Sequence, residues 1–200
     1  MKILKKQLKF EKQYTEASGQ KVALYFHDEA GFSLTTDIGY TWYQAGERPE
    51  LKASTSRPYW HLSAAANPET GDISSMLLPW LNTDSFQIYL EHFAEEVEPL
   101  IDEGYEIWLA VDRAGWHISK DLKVPRGIKL IFMPTGAATI NPIETLWEFI
   151  RKNFTRNKIH KNLQELENTL VEACTYLTKS AQKVASICYT SIIGKAHMLG

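Results

Sequence analysis

The stretch Ile107-Trp108-Leu109-Ala110-Val111-Asp112-Arg113-Ala114-Gly115-Trp116-His117 decides how this chain folds. Five apolar residues in a row describe a strand buried on both faces, as in a sheet covered by helices. The run ends on an acid. A carboxylate is costly to bury unless it is paired or binds a cation, so Asp112 reads either as a site acid or as a turn-forming acid after a strand. The same pattern occurs earlier, where Val22-Ala23-Leu24-Tyr25-Phe26 leads into His27-Asp28-Glu29, and Asp28 has the same two readings. If the two strands are neighbours, both carboxylates emerge at one sheet edge, where α/β folds build their sites.

Working outward, Gly39-Tyr40-Thr41-Trp42-Tyr43 and Tyr59 to Ala66 read as further strands. Ile73 to Trp80 pairs back on the latter after the turn Asn67-Pro68-Glu69-Thr70-Gly71. From Asn82 the period lengthens. Phe86, Tyr89, Leu90, Phe93, Val97 and Leu100 describe one face of an amphipathic helix, with Asn82, Thr83 or Asp84 as its cap. Ile128 to Phe132 is the next strand. Hairpins followed by strand–helix alternation predict a mixed sheet covered by helices.

A second helix opens at Asn141-Pro142-Ile143-Glu144-Thr145-Leu146-Trp147, with Asn141 as N-cap, Pro142 at N1 and Glu144 at N3. Ile143, Leu146, Trp147 and Ile150 form its docking stripe. Glu144 has two readings: a capping-box acid reaching back to the cap amide, or an acid presented to a site. The stripe Leu163, Leu166, Leu170, Cys174, Leu177, Ala181, Val184 and Cys188 either packs on the domain or forms a dimer seam. These elements divide the chain into a lysine-rich leader (1–21), a central domain (22–160) and a helical extension (161–200).

Two hundred residues suit one core-bearing domain, and 22 basic against 24 acidic residues leave a formal charge of −2. That balance argues against a stand-alone, strongly basic nucleic-acid binder, so any phosphate attraction must come from local patches or a companion domain. Cys174 and Cys188 have no metal-site spacing and read as free thiols of a reducing cytoplasm. No signal peptide or membrane-spanning run is evident, so a soluble, cytoplasmic protein is expected.

Phe26-His27-Asp28-Glu29-Ala30-Gly31-Phe32, then Gly39-Tyr40-Thr41-Trp42 with Gly46-Glu47-Arg48-Pro49, then Val111-Asp112 through Ile118-Ser119, and Asn141 to Trp147 together resemble the catalytic core of IS630-family transposases, in the Tc1/mariner group. The resemblance runs from about Val22 to Phe154, and the 32 positions from Asp112 to Glu144 suit the family's second-to-third acid spacing. It implies an α/β, ribonuclease H-like fold: a mixed five-stranded sheet flanked by helices, with a C-terminal helical extension. It further implies that Asp28, Asp112 and Glu144 form a DDE triad holding two Mg²⁺ or Mn²⁺ ions. The implied substrate is double-stranded DNA, both transposon ends and target, with a homodimer possible. The chemistry agrees, because hard divalent cations take carboxylate oxygens. Three such acids at one edge would repel one another without metal, leaving the site weakly ordered or partly protonated.

The sequence departs from the family pattern at three points. Arg113 replaces a common asparagine, placing a cation beside the site that either grips phosphate or competes with metal. Met133 to Ile140 replaces a proline-rich loop. The helix-turn-helix region that recognises terminal repeats is expected to be separate or missing. Residues suited to tracking DNA are Arg48, Lys52, Arg57, Trp60, Arg113, Trp116, Arg151, Lys152, Arg156 and Lys158. His117 either orients a carboxylate, contacts substrate or packs in the core; His27 reads as structural. Against the transposase stand two alternatives: a remnant that binds DNA or a partner without catalysis, and a ribonuclease H-like nuclease with another substrate.

Overall fold

β1 (Lys21–Ser33) has two different partners along its length, and this sets the architecture. Its first half pairs in parallel with β4 (Tyr105–Val111), and its second half pairs antiparallel with β2 (Tyr59–Ala66). β3 (Ile73–Leu78) adds antiparallel to β2, and β5 (Ile128–Phe132) adds in parallel to β4. The result is a mixed five-stranded sheet in the order β3-β2-β1-β4-β5. The computed structural model describes residues 19–39, 54–55, 59–134 and 141–197, with side chains to Tyr189. The predicted strand at Gly39–Tyr43 and the residues Arg48, Lys52 and Arg57 therefore lie, apart from Gly39, outside the described residues.

Among the described residues, four α-helices cover the sheet: α1 (Thr83–Asp102), α2 (Ile143–Ile150), α3 (Leu163–Thr178) and α4 (Ala181–His197). α1 starts where expected. Asn82 Oδ1 accepts the Ser85 amide at 2.8 Å, and the Ser85 hydroxyl accepts the Asn82 amide at 3.0 Å, a reciprocal cap. Its stripe of Phe86, Tyr89, Leu90, Phe93 and Val97 buries against Ala23, Tyr25, Ile107, Leu109 and Val111 on one sheet face. The opposite face carries Phe26, Ala30, Phe32, Leu62, Ala64 and Ala110, packed under Ile143, Leu146, Trp147 and Ile150 of α2. Leu166, Leu170, Leu177, Val184 and Cys188 join that same core, so α3 and α4 pack on the domain. Both cysteines are free, and burial pushes the Cys188 thiol up to about 12. Among the described residues, no helix is long and apolar enough to cross a membrane.

Two local expectations need correction. β1 does not stop before Asp28 but continues to Ser33, because β2 supplies ladder partners from Phe26 through Ser33 after β4 has ended. The second concerns α2. Its cap position is Pro142, one residue later than expected, and Glu144 is exposed instead of closing a capping box. Asn141 is buried; its Oδ1 still accepts the Ile143 amide, while its Nδ2 is turned to the His27 carbonyl.

Candidate active site

The register of the two central strands relates the positions of the first two acids. β1 and β4 pair at a constant offset of 84 positions, from Lys21 with Tyr105 to Phe26 with Ala110. Asp28 and Asp112 stand at that same offset, two positions beyond the last pair. Alternation along β1 puts Asp28 on the face of Phe26 and Ala110, the face that α2 covers, while Asp112 lies one residue past the end of β4. Glu144 comes to this face from the first turn of α2.

Asn141 ties the third acid to the first. Its Nδ2 donates to the His27 carbonyl at 2.8 Å, and its Oδ1 accepts the Ile143 amide at 3.2 Å. A buried side chain thereby joins the start of α2 to the residue before Asp28. Trp147, one turn along α2, donates from Nε1 to Asp28 Oδ2 at 3.3 Å. Burial raises the Asp28 carboxyl to about 7, with the charge of Glu144 the next largest cause. That is the mutual repulsion expected of acids gathered without metal.

Asp112 is held from the other side of the sheet edge. Its Oδ1 accepts the Ala114 amide at 2.9 Å and lies 2.7 Å from His117 Nδ1. Its side chain remains 48% exposed. His117 Nε2 in turn lies 3.1 Å from Glu29 Oε1, which also accepts Trp116 Nε1 at 3.0 Å. Burial works against charge on His117, but the Glu29 hydrogen bond and the charges of Glu29 and Asp112 outweigh it and raise its pKa. Burial likewise opposes charge on Glu29, and His27, His117 and Trp116 together hold its carboxyl below the ordinary value.

His27 and Glu29 flank Asp28 in sequence, so they point to the α1 face while Asp28 points to the α2 face. There the ligand-capable atoms of His27, Glu29 and His117 lie within 4.8 Å of one another. Among the described residues this is the group so tightly gathered; the three acids Asp28, Asp112 and Glu144 are more widely set. As a donor set, the acids offer hard oxygens and a repulsion that a divalent cation would relieve, which fits Mg²⁺ or Mn²⁺.

The residues expected to meet DNA fall into two groups. Lys152 and Lys158 are exposed, and exposed Arg113 holds its guanidinium 5.7 Å over the Phe132 ring. The others are engaged. The Arg151 guanidinium lies 5.0 Å over the Phe32 ring and donates to the Gly31 carbonyl. Arg156 pairs with Asp37 at 3.1 Å and Glu148 at 2.8 Å. Trp116 is half-buried against Glu29, and His117 is 2% exposed with both ring nitrogens engaged, which withdraws it from a DNA surface. Glu29 is not singled out by the sequence, and Asn141 is read there only as a helix cap. Their signals are the alternation beside Asp28 and an asparagine preceding a helix-starting proline.

The profile of the DDE superfamily endonucleases matches residues 23–167. An uncharacterised protein of Sinorhizobium fredii (strain NBRC 101917 / NGR234), y4pE/y4sA, is 33% identical over 127 residues, 64% of this chain and 91% of its own length. The insertion element IS630 39 kDa protein of Shigella sonnei is 22% identical over 138 residues, 67% of this chain and 39% of its own. Among solved structures, the Mos1 transposase paired-end complex with the left transposon end superposes with a TM-score of 0.58 at 10% identity, over 91% of this chain and 58% of that one. The Mos1 mariner catalytic domain superposes with a TM-score of 0.53 at 7% identity, over 91% of this chain and 86% of that domain. The fold is thus the ribonuclease H-like fold of that catalytic domain. The chain spans only part of the Shigella protein and of the longer Mos1 chain.

Proposed function

This chain belongs to the DDE superfamily endonucleases, and from that premise we propose that it is the catalytic domain of an IS630-type insertion-sequence transposase. It cleaves and joins strands of double-stranded DNA, at transposon ends and target, using Asp28, Asp112 and Glu144 to hold two Mg²⁺ or Mn²⁺ ions. The observation that carries this reading is the buried bond from Asn141 to the His27 carbonyl, which fixes the start of the Glu144 helix beside Asp28, with Asp112 standing at the same sequence offset of 84 from Asp28 as the paired residues of β1 and β4. Divalent metal use is also in keeping with the Mos1 paired-end complexes that contain Mn and Mg, which superpose with TM-scores of 0.58 and 0.56.

Each acid has a distinct part. Asp28 sits on a central strand, anchored by Trp147, where burial and the charge of Glu144 work against its ionised form. Asp112 lies past the end of β4 and offers a half-exposed carboxylate whose other oxygen is tied down. Glu144, exposed on the first helical turn, completes the set. Bound divalent ions would activate the attacking water or 3′-hydroxyl and stabilise the leaving oxygen in an in-line displacement. Exposed Arg113 and Lys152 are placed to meet phosphates; a separate helix-turn-helix unit would supply recognition of the ends.

The test is nicking of supercoiled plasmid, with and without IS630-type terminal repeats, in Mn²⁺. Wild type should nick, and Asp112→Asn and Glu144→Gln should lose the activity while keeping their circular dichroism. Retained nicking by either variant removes the reading.

A further inference from the structure

An aspartate just beyond a strand end has two equivalent oxygens and a freely turning carboxylate, which makes it a poor fixed ligand. Asp112 is not left in that state. Both of its hydrogen bonds among the described residues fall on Oδ1: the Ala114 amide at 2.9 Å and His117 Nδ1 at 2.7 Å. Two donors saturate the lone pairs of that one oxygen.

His117 is itself immobilised. Its Nε2 faces Glu29 Oε1 at 3.1 Å, its ring centroid lies 4.3 Å from that of Phe86, and the residue is 2% exposed. Glu29 is fixed in turn by Trp116 Nε1 at 3.0 Å. Order therefore passes from the α1-side core to the acid just past the end of β4.

We infer that Glu29 and His117 are positioning residues for Asp112, clamping its Oδ1 so that Oδ2 alone is presented to a divalent cation. The inference rests on the reading of Asp112 as a metal-holding acid and adds the device that orients it. Outer partners of this kind are typically worth about 10–100-fold in metal affinity. The same side chains have one rival use. His27, 1% exposed, has no hydrogen-bond partner for Nδ1 among the described residues and lies with His117 and Glu29 inside the 4.8 Å cluster, so the three would instead form a ligand set for a transition metal.

The experiment is calorimetric titration of the metal-free full chain with Mn²⁺, alongside the thermal midpoint of each variant. His117→Ala should weaken Mn²⁺ binding by about 10–100-fold. Glu29→Gln, which keeps size and packing, should weaken it by about tenfold. His117→Asn, whose amide reaches toward Asp112 but not Glu29, should recover part of the loss seen with alanine. A role confined to holding the fold together lowers the midpoint and leaves the Mn²⁺ dissociation constant unchanged; that result in folded Glu29→Gln and His117→Ala overturns the inference. Unchanged Mn²⁺ binding by Asp112→Asn is a different failure, since it removes the metal-holding role of Asp112 itself. A tightly held transition metal in the purified chain, lost in His27→Gln, also overturns the clamp by making the cluster a ligand set.

Discussion

The side-chain amide of Asn141 donates to the carbonyl oxygen of His27 at 2.8 Å, fixing the start of α2 to the strand residue that precedes Asp28. The bond is buried, so removing it leaves polar groups without partners. Asn141→Ala should cost about 1–3 kcal/mol in urea unfolding. As α2 loosens and Glu144 draws away, the Asp28 carboxyl, followed by NMR, should titrate lower than in wild type. A loss of stability with no change at Asp28 would mean the bond merely caps the helix.

Asp28 should make the metal-free protein sensitive to pH. Burial first, then Glu144, holds its carboxyl at about 7, above the ordinary 3.8. A raised folded-state value means that the folded protein keeps this proton more tightly than the unfolded chain. The stability so gained is whole below about pH 4 and is lost as pH rises through about 7. In chelator, the wild type should lose on the order of 3 kcal/mol at this site across that window. Asp28→Asn should flatten that slope and, under the proposed function, abolish DNA nicking. Parallel midpoint-against-pH curves for the two proteins would count against the placement of charge described here.

Divalent cations should reverse the same deficit. At about 100 times its dissociation constant, a bound ion adds about 2.7 kcal/mol to folding. Millimolar Mg²⁺ or Mn²⁺ should therefore raise the melting midpoint near pH 8, and chelator should lower it again. Glu144→Gln should respond far less. An equal response in that variant would assign the ion to another place on the protein.

Gly71 offers a check on the fold away from the acids. Its φ of 80° is left-handed, and a Cβ there would collide with the Ala181 carbonyl at the start of α4. Gly104, after α1, has φ 88° but open space around it. Gly104→Ala should cost about 1 kcal/mol from backbone strain alone. Gly71→Ala should cost distinctly more, above about 2 kcal/mol, because strain and collision add. Equal losses, measured by thermal unfolding, would mean that α4 yields to the β2–β3 turn.

Periodicity carried most of the fold. The α1 stripe, the α2 stripe and the strand at Ile128–Phe132 all bury as their spacing demands. It was weaker where a strand changes partners. Nothing in His27-Asp28-Glu29 marks them as mid-strand, because charged residues inside a strand become tolerable only when two faces offer different uses for them. The three acids stand out as carboxylates beside apolar runs or at a helix start. Their supports do not, since Glu29 and His117 meet across 88 positions of sequence, a separation that no local pattern encodes. Within the basic stretch from Arg151 to Lys158, Asp37 and Glu148 pair with Arg156, and only the folded chain brings Asp37 there.

The alternation of Asp28 with His27 and Glu29 makes this strand intolerant of frameshifting within its own ladder. Insert or delete one residue between Phe26 and Asp28, and every later side chain changes sides. Glu29 would then turn toward α2 and Asp28 toward the histidines, exchanging the acid beside Glu144 with the one beside His117. Residue identity alone would survive such a change while the division of labour between the two carboxylates would not. Length between these positions is therefore constrained as tightly as chemistry.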